Sequence, residues 1–446
     1  MQQSHFSPAL PFTLPCGQTV KNRIVKAAME ENMAGWDLQP DSALYSLYRY
    51  WAHGGPGMII TGNVMIDRTA MTGPGGVVME PDTSLIAFEK WAKVMKSGGA
   101  KALMQLNHPG RQMPSQFGRT ALAPSAIALK LGRYSKKFAR PVAMSCEQIH
   151  RVTHQFAMAA KRAKDAGFDG VQIHAAHGYL LSQFLSPLSN QREDEWGGSL
   201  QNRARFLINV VCQVRALCGN DFIVSVKLNS ADFQRGGFSD DDAVEVVSKL
   251  SKLNVDFIEL SGGNYESPAM QGTGDMSSAL KPEAYFMAFA ARIAQHSDVP
   301  VMTTGGITQL KTAEQVLEAG YDFVGIASAL AFTPDLVKKW QQNPDYAGVK
   351  PHCDWQDKTL ASLVKMAKVR RQLRRLGNDF TTMHNPTALW SLFLDVIHKR
   401  KMMKLYRAYC VEQTSTEKQE THSEQPEKAT RYVSSHVVSG VPSRDL

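Results

Sequence analysis

The chain has 446 residues, 43% of them hydrophobic, which is too long for one small domain and enough for a sizeable core. Six scattered cysteines, none in a CxxC pair, exclude a disulfide scaffold, give no sign of a zinc or iron–sulfur site, and suit a reducing cytoplasm. The formal charge of +9 is local. Twelve Lys or Arg and two Asp lie between Lys358 and Cys410, leaving 38 basic and 39 acidic residues elsewhere, so nucleic-acid binding along the whole chain is not indicated.

The first dozen residues lack a basic segment followed by an apolar run, and no apolar stretch reaches about 18 residues. Neither a signal peptide nor a membrane span is expected. Phe12–Leu14 and Thr19–Val20 flank Pro15-Cys16-Gly17-Gln18 and read as a small hairpin able to plug a barrel floor. Eight short apolar runs then read as strands: 24–27, 58–62, 102–106, 170–174, 223–228, 257–260, 301–304 and 323–326. Helical patterns alternate with them at 41–53, 85–97, 145–166, 202–217, 240–253, 282–295 and 308–318. Several helices end in Gly-aromatic-Asp, as in Ala166-Gly167-Phe168-Asp169, where Gly takes the left-handed turn that returns the chain to the floor. Eight strands buried on both faces, with helical crossovers, favour a (β/α)8 TIM barrel over an open doubly wound sheet.

After about Trp340 the pattern changes. Residues 341–357 read as a linker, and 358–377 and 386–410 as two basic helices. From about Glu412 the chain is polar, poor in apolar residues, and expected to be disordered. The expected division is a barrel domain over 1–340, a basic helical C-terminal extension over 341–410 and a tail over 411–446.

In such barrels the site forms at the C-terminal ends of the strands. Those ends carry Ala27-Ala28-Met29-Glu30, Gly62-Asn63, Gln105, His174-Ala175-Ala176-His177-Gly178-Tyr179, Lys227, Gly305-Gly306 and Ala327-Ser328. No acidic pair converges there, and no Ser-His-Asp grouping. Gly305-Gly306 opens a helix, so its N–H groups and the helix dipole suit a phosphate, although many barrels share this feature and a plain tight turn is the alternative. His174 and His177 can donate hydrogen bonds to a carbonyl or anionic oxygen without a metal, and Tyr179 can deliver a proton. A zinc reading would need further ligands.

The chain resembles the Old Yellow Enzyme family of FMN-dependent oxidoreductases, in its bacterial NADH:flavin oxidoreductase branch. The resemblance rests on Lys21-Asn22-Arg23-Ile24-Val25, Ala123-Pro124-Ser125-Ala126, the run from Ala166 through His174, His177 and Tyr179 to Asn190, Trp196-Gly197-Gly198-Ser199, and Asn202-Arg203-x-Arg205-Phe206, and it covers about residues 6–340. It implies FMN across the barrel top, with NADPH or NADH as reductant. Backbone groups around Ala27, Ala28 and Met29 would meet the flavin ring, with Asn63 nearby. Gln105 would meet its pyrimidine edge, and Lys227 would lie beside N1 and O2, where a positive charge favours the reduced form. Gly305, Gly306, Ala327 and Ser328 would hold the phosphate. His174 and His177 would anchor the oxygen of an electron-poor alkene and Tyr179 would protonate it. An unpaired buried Lys is costly, which favours the flavin role for Lys227 over a barrel salt bridge.

The pattern departs from the family in places. Glu30 stands where some relatives have Cys, Asn63 where Ala or Gly is common, and Ser328 where an Arg usually meets the phosphate. Larger relatives carry a four-cysteine cluster motif after the barrel, whereas only Cys353 and Cys410 follow it in this chain. The alternatives are flavin-dependent amine or N-methyl oxidation, and a non-catalytic barrel acting through its basic helices. Those helices suit packing on the barrel, a homo-oligomer contact or peripheral contact with an anionic membrane.

Overall fold

The computed structural model describes residues 7–267, 292–293 and 298–423. Eight parallel strands close into a barrel: β1 Ile24–Lys26, β2 Met58–Met65, β3 Lys101–Asn107, β4 Gly170–Ala175, β5 Ile223–Asn229, β6 Phe257–Ser261, β7 Val301–Thr304 and β8 Phe323–Ile326. Sequential strands pair in order, and β8 closes on β1 through Val324–Ile24, Gly325–Val25 and Ile326–Lys26. All eight strands lie within a few residues of the sequence reading. The largest difference is β2, which runs on to Met65 past a register shift between Ile60 and Asn63. Asn63 lies just past that irregularity.

The crossovers are α1 Ser42–Gly54, α2 Ile86–Lys96, α3 Cys146–Asp165, α4 Leu200–Cys218, α5 Asp240–Ser251 and α6 Leu310–Glu318. Four of these six start at a side-chain cap, whereas α2 and α6 have none. Asp41 accepts from Ala43 N, Ser145 and Gln148 form a reciprocal capping box, and Ser239 and Asp242 form another. The helix expected over 282–295 lies outside the described residues, apart from Arg292 and Ile293. Strands of two or three residues at Val77–Val78, Ala121–Ala123 and Pro141–Ala143 carry too few residues to show a period in the sequence.

The hairpin Phe12–Thr13 with Thr19–Val20 forms as read. Leu14 and Val20 pack with Val25, Met58, Ile60, Leu103, Ile223, Phe257, Met302 and Phe323 into an apolar plug inside the lower barrel. The larger cluster lies between the strands and the helical ring, with Trp51, Trp91, Phe156 and Phe206 fully buried. Beyond the short helix Leu336–Gln342, residues 343–357 carry no regular secondary structure. Then come α7 Lys358–Gly377 and α8 Ala388–Ser423.

The two C-terminal helices pack on the barrel. Tyr406 Oη donates to Arg68 O at 3.0 Å, the His398 ring meets Asn32 O at 2.7 Å, and Lys368 Nζ donates to His352 O at 2.6 Å. Helix α8 continues to Ser423, beyond Glu412 where disorder is expected, and residues 424–446 lie outside the described part. Leu389, Trp390, Phe393, Val396 and Ile397 form an exposed apolar stripe on α8. Among the described residues no helix is long and apolar enough to cross a membrane.

Candidate active site

The β4 end is built by backbone geometry first. His177 adopts φ +61, a left-handed conformation that few side chains tolerate. Asn229 Oδ1 at the β5 end accepts from His177 N at 3.0 Å, and Gln112 Nε2 donates to His177 O at 3.0 Å. Both peptide groups of the strained residue are thereby held, which fixes the side chain's direction. The His174 ring stands edge-on to His177 at 5.0 Å and to Tyr179 at 4.9 Å. The three residues expected to act together are therefore neighbours.

Their protonation follows from burial. Desolvation, with Lys227 adding to it, holds both imidazoles well below the usual histidine range. His174 Nδ1 accepts from Ala176 N at 3.2 Å, so the neutral ring carries its proton on Nε2. His177 Nε2 meets Ser261 Oγ at 2.7 Å. If Ser261 donates, His177 keeps a proton on Nδ1. Tyr179 Oη lies 3.0 Å from Tyr265 Oη, and burial with that neighbour raises its pKa well above the ordinary phenol range.

A polar layer crosses the barrel beneath this site. Strand register sets Lys227 opposite both His174 and Glu259, and Gln105 opposite Gln172. Lys227 Nζ donates to Glu259 Oε1 at 2.8 Å, as does Thr304 Oγ1. Gln172 Nε2 donates to Glu259 Oε2 at 2.9 Å, and Gln105 Nε2 donates to Gln172 Oε1 at 2.7 Å. Lys227 is thus paired, and its burial alone no longer argues for a ligand. One ion pair leaves two of its three N–H donors for other acceptors.

At the β1 end, Ala27 is fully buried and its N–H bonds to Ile326 O, while Ala28 and Met29 are half-buried. Glu30 accepts from Thr72 Oγ1 at 2.7 Å and lies 3.6 Å from the Arg370 guanidinium of α7. Asn63 Nδ2 donates to the same Thr72 at 3.2 Å. The carboxylate that stands where some relatives have Cys therefore faces a cation.

A second buried cluster lies behind Glu30. Lys26 Nζ donates to Ile60 O at 2.8 Å and sits 4.3 Å over Trp51, with burial pushing its pKa down to about 8. Glu31 accepts from Tyr48 Oη and from Gly62 N. A Cβ on Gly62 would stand 1.9 Å from Glu31 Oε2, so only glycine fits there.

The β7 and β8 ends are open. A Cβ built on Gly305 meets nothing within 4 Å, and Gly306 has φ +64. A cavity of about 300 Å³ lies between Met29, Ala327 and Ser328 on the barrel and Lys365, Met366 and Arg370 on α7. An open glycine turn after β7, a cavity at Ala327 and Ser328 after β8, and a lysine and a glutamine at the polar layer are groups that a phosphorylated flavin would need. Among the described residues no group of His, Cys, Asp and Glu could hold a metal.

Residues 10–345 match the family model described as NADH:flavin oxidoreductase / NADH oxidase family. The chain belongs to this family. It is an FMN-dependent oxidoreductase that takes its electrons from NAD(P)H. It is 38% identical over 362 residues to an NADH-dependent flavin oxidoreductase of Hypocrea jecorina, covering 76% of this chain and 89% of that one. A relative from Neonectria, also described as an NADH-dependent flavin oxidoreductase, is 37% identical over 375 residues, which are 78% of this chain but 49% of the longer protein. The old yellow enzyme homologue of Zymomonas mobilis superposes with a TM-score of 0.66 at 26% identity, covering 76% of this chain and 94% of that structure.

Four contributors escaped the sequence reading: Tyr265, Ser261, Glu259 and Lys26. Three of them lie in β6 or β1, and Tyr265, just after β6, had a signal. It ends Ser261-Gly262-Gly263-Asn264-Tyr265, a polar, glycine-rich strand end of the kind that marks a site in this fold.

Proposed function

We propose that the chain reduces the carbon–carbon double bond of an electron-poor alkene such as an enone, with His174, His177 and Tyr179 as its catalytic residues. The observation that carries this reading is the neutral His174, whose Nδ1 is occupied by Ala176 N–H and whose ring stands edge-on to Tyr179 at 4.9 Å. His174 Nε2–H and His177 Nδ1–H donate to the substrate's carbonyl oxygen. Those bonds strengthen as negative charge gathers on that oxygen, and they leave the β-carbon electron-poor. FMN, when bound, supplies the hydride that originates on NAD(P)H. Tyr179 gives its proton to the α-carbon, and Tyr265 Oη holds the phenol in position. Two N–H donors suit an oxygen acceptor and repel an ammonium, which speaks against amine oxidation.

The residues that would hold FMN are the backbone around Ala27, Ala28 and Met29, Asn63 near the ring, Gln105 and Lys227 at the polar layer, and Gly305, Gly306, Ala327 and Ser328 around the phosphate. Arg370 beside Glu30 offsets a carboxylate that would otherwise oppose reduction. The free cysteines suit a reducing, cytoplasmic setting.

Stopped-flow measurement of the two half-reactions tests the proposal. Tyr179→Phe should slow oxidation of the reduced enzyme by an enone and leave reduction by NAD(P)H unaltered. A phenol, which offers an oxygen but no reducible bond, should compete with the enone in wild type and not in His174→Ala. Full enone reduction in both variants would remove these residues from the mechanism.

A further inference from the structure

The strand-eight position that usually offers a guanidinium to the phosphate is Ser328, which carries no charge. A phosphate monoester brings about −1.5 to −2 charges at neutral pH. Backbone N–H groups alone answer that charge with dipoles, so a phosphate around Gly305, Gly306, Ala327 and Ser328 calls for a cation from elsewhere in the chain.

Three cations come to that place, and all belong to the C-terminal extension. Lys350 Nζ lies 3.9 Å from where a Cβ on Gly306 would stand. The linker holds it there, because Gly348 N donates to Thr308 O at 2.8 Å and Val349 N to Thr333 Oγ1 at 3.4 Å. Lys365, one turn into α7 from Ala361, lines the cavity together with Ala327, Ser328 and Pro351. Arg370 lines it too, but is engaged by Glu30 at 3.6 Å and Asp395 at 3.2 Å. Lys350 and Lys365 form no ion pair among the described residues, although Asp395 nearby gathers Arg370, Arg374 and Lys399. Lys350 beside the open glycine turn and Lys365 at the cavity wall with Ala327 and Ser328 are two ammonium groups without an ion pair among the described residues, an electrostatic cost that an anion would relieve.

We propose that Lys350 and Lys365 are the cations of the flavin phosphate site, so that the C-terminal extension completes the cofactor pocket of the barrel. This rests on the FMN reading above. Lys365 is half-buried and acts across the cavity. Lys350 is solvent-exposed, so water and salt screen it more and its share is smaller.

The test compares FMN with riboflavin, which has the same ring and ribityl chain but no phosphate. The full-length chain is stripped of flavin, and each ligand is titrated by quenching of its fluorescence. Wild type should bind FMN more tightly than riboflavin. Lys365→Ala should weaken FMN about tenfold and Lys350→Ala about threefold, in line with a charge-assisted hydrogen bond partly screened by water. Riboflavin affinity should not change, Lys365→Arg should restore FMN binding, and high salt should shrink the difference. Unchanged FMN affinity in the double variant would overturn the proposal. A parallel loss of FMN and riboflavin affinity would overturn it as well, by assigning the lysines to the fold of the extension. If wild type bound neither flavin, the FMN reading itself would fall. Equal affinity of wild type for both flavins would sink only the role given to the lysines.

Discussion

The two halves of the barrel mouth are built differently. From β3 to β6 the polar side chains that define the site have partners within the barrel. His177 is held through both its peptide groups, Tyr179 by Tyr265, and Lys227 by a carboxylate shared with Gln172 and Thr304. From β7 round to β8 the mouth offers bare glycine backbone and an open cavity, closed from outside by the linker and α7. The first half has its donors fixed before substrate arrives, which lowers the cost of reorganisation during reaction. The second half takes its walls from a chain segment outside the barrel.

The largest expected effect separates chemistry from cofactor binding. Tyr179→Phe removes the proton donor without removing the ring, and should lower the rate of enone reduction about a hundredfold or more. FMN affinity should stay as in wild type. A comparable loss of FMN affinity would show that the two halves are one unit.

Next comes the polar layer. Glu259→Ala strands Lys227 in a site where it is 6% exposed and also removes acceptors from Gln172 and Thr304. Losing one partner of a buried ion pair costs about 3–5 kcal/mol. Urea denaturation should show that loss. Glu259→Gln keeps acceptors at one oxygen and should be milder. A loss under 1 kcal/mol for Glu259→Ala would mean that water already serves the layer.

Acid should also strike the substrate half first. Burial keeps His174 and His177 neutral, and pushes His108, the residue just past β3 whose Nδ1 accepts from Gly110 N, down to about 4. Their folded pKa values lie below the unfolded value of about 6.5, so the unfolded chain binds protons that the folded one refuses. The stability is fully present above about pH 6.5 and is lost as pH falls from there toward the folded values. Each such group can add up to about 1.4 kcal/mol per pH unit to the slope below that pH. His108→Gln should reduce that slope by about a third, measured as urea midpoints between pH 7 and 5.

How the two halves were legible in the sequence differs for a physical reason. His174, His177 and Tyr179 lie within one loop, so their spacing alone brought them together. Helix α7 was read with its observed ends, because Asp357 caps it and Gly377 closes it. The Lys227–Glu259 pair was not legible. Each residue looks like an isolated polar side chain inside an apolar strand, and only the register of β5 against β6 makes them partners. Tyr265 was passed over because it lies four residues past β6 and meets Tyr179 only through packing. The closure of the phosphate half by Lys350 and α7 was beyond a strand-end reading, since these residues follow the last strand and meet the site only through packing. The basic character of α7 was visible, but not which of its cations turn inward.

The smallest expected effect lies within the glycine pair and sharpens the same contrast. Gly306 sits at φ +64, so Gly306→Ala forces a side chain into the left-handed region and should cost about 1 kcal/mol. Gly305 has no such φ, and its Cβ would meet no protein atom within 4 Å. Gly305→Ala should therefore change stability by less than about 0.5 kcal/mol, as a surface substitution does. Its methyl group would nonetheless project into open space at the turn, where a phosphate held by the turn would meet it. Weakened FMN binding by Gly305→Ala at unchanged urea midpoint would place the phosphate at this turn from the ligand's side. If FMN bound Gly305→Ala as well as wild type, the phosphate would have to sit further toward Ala327 and α7.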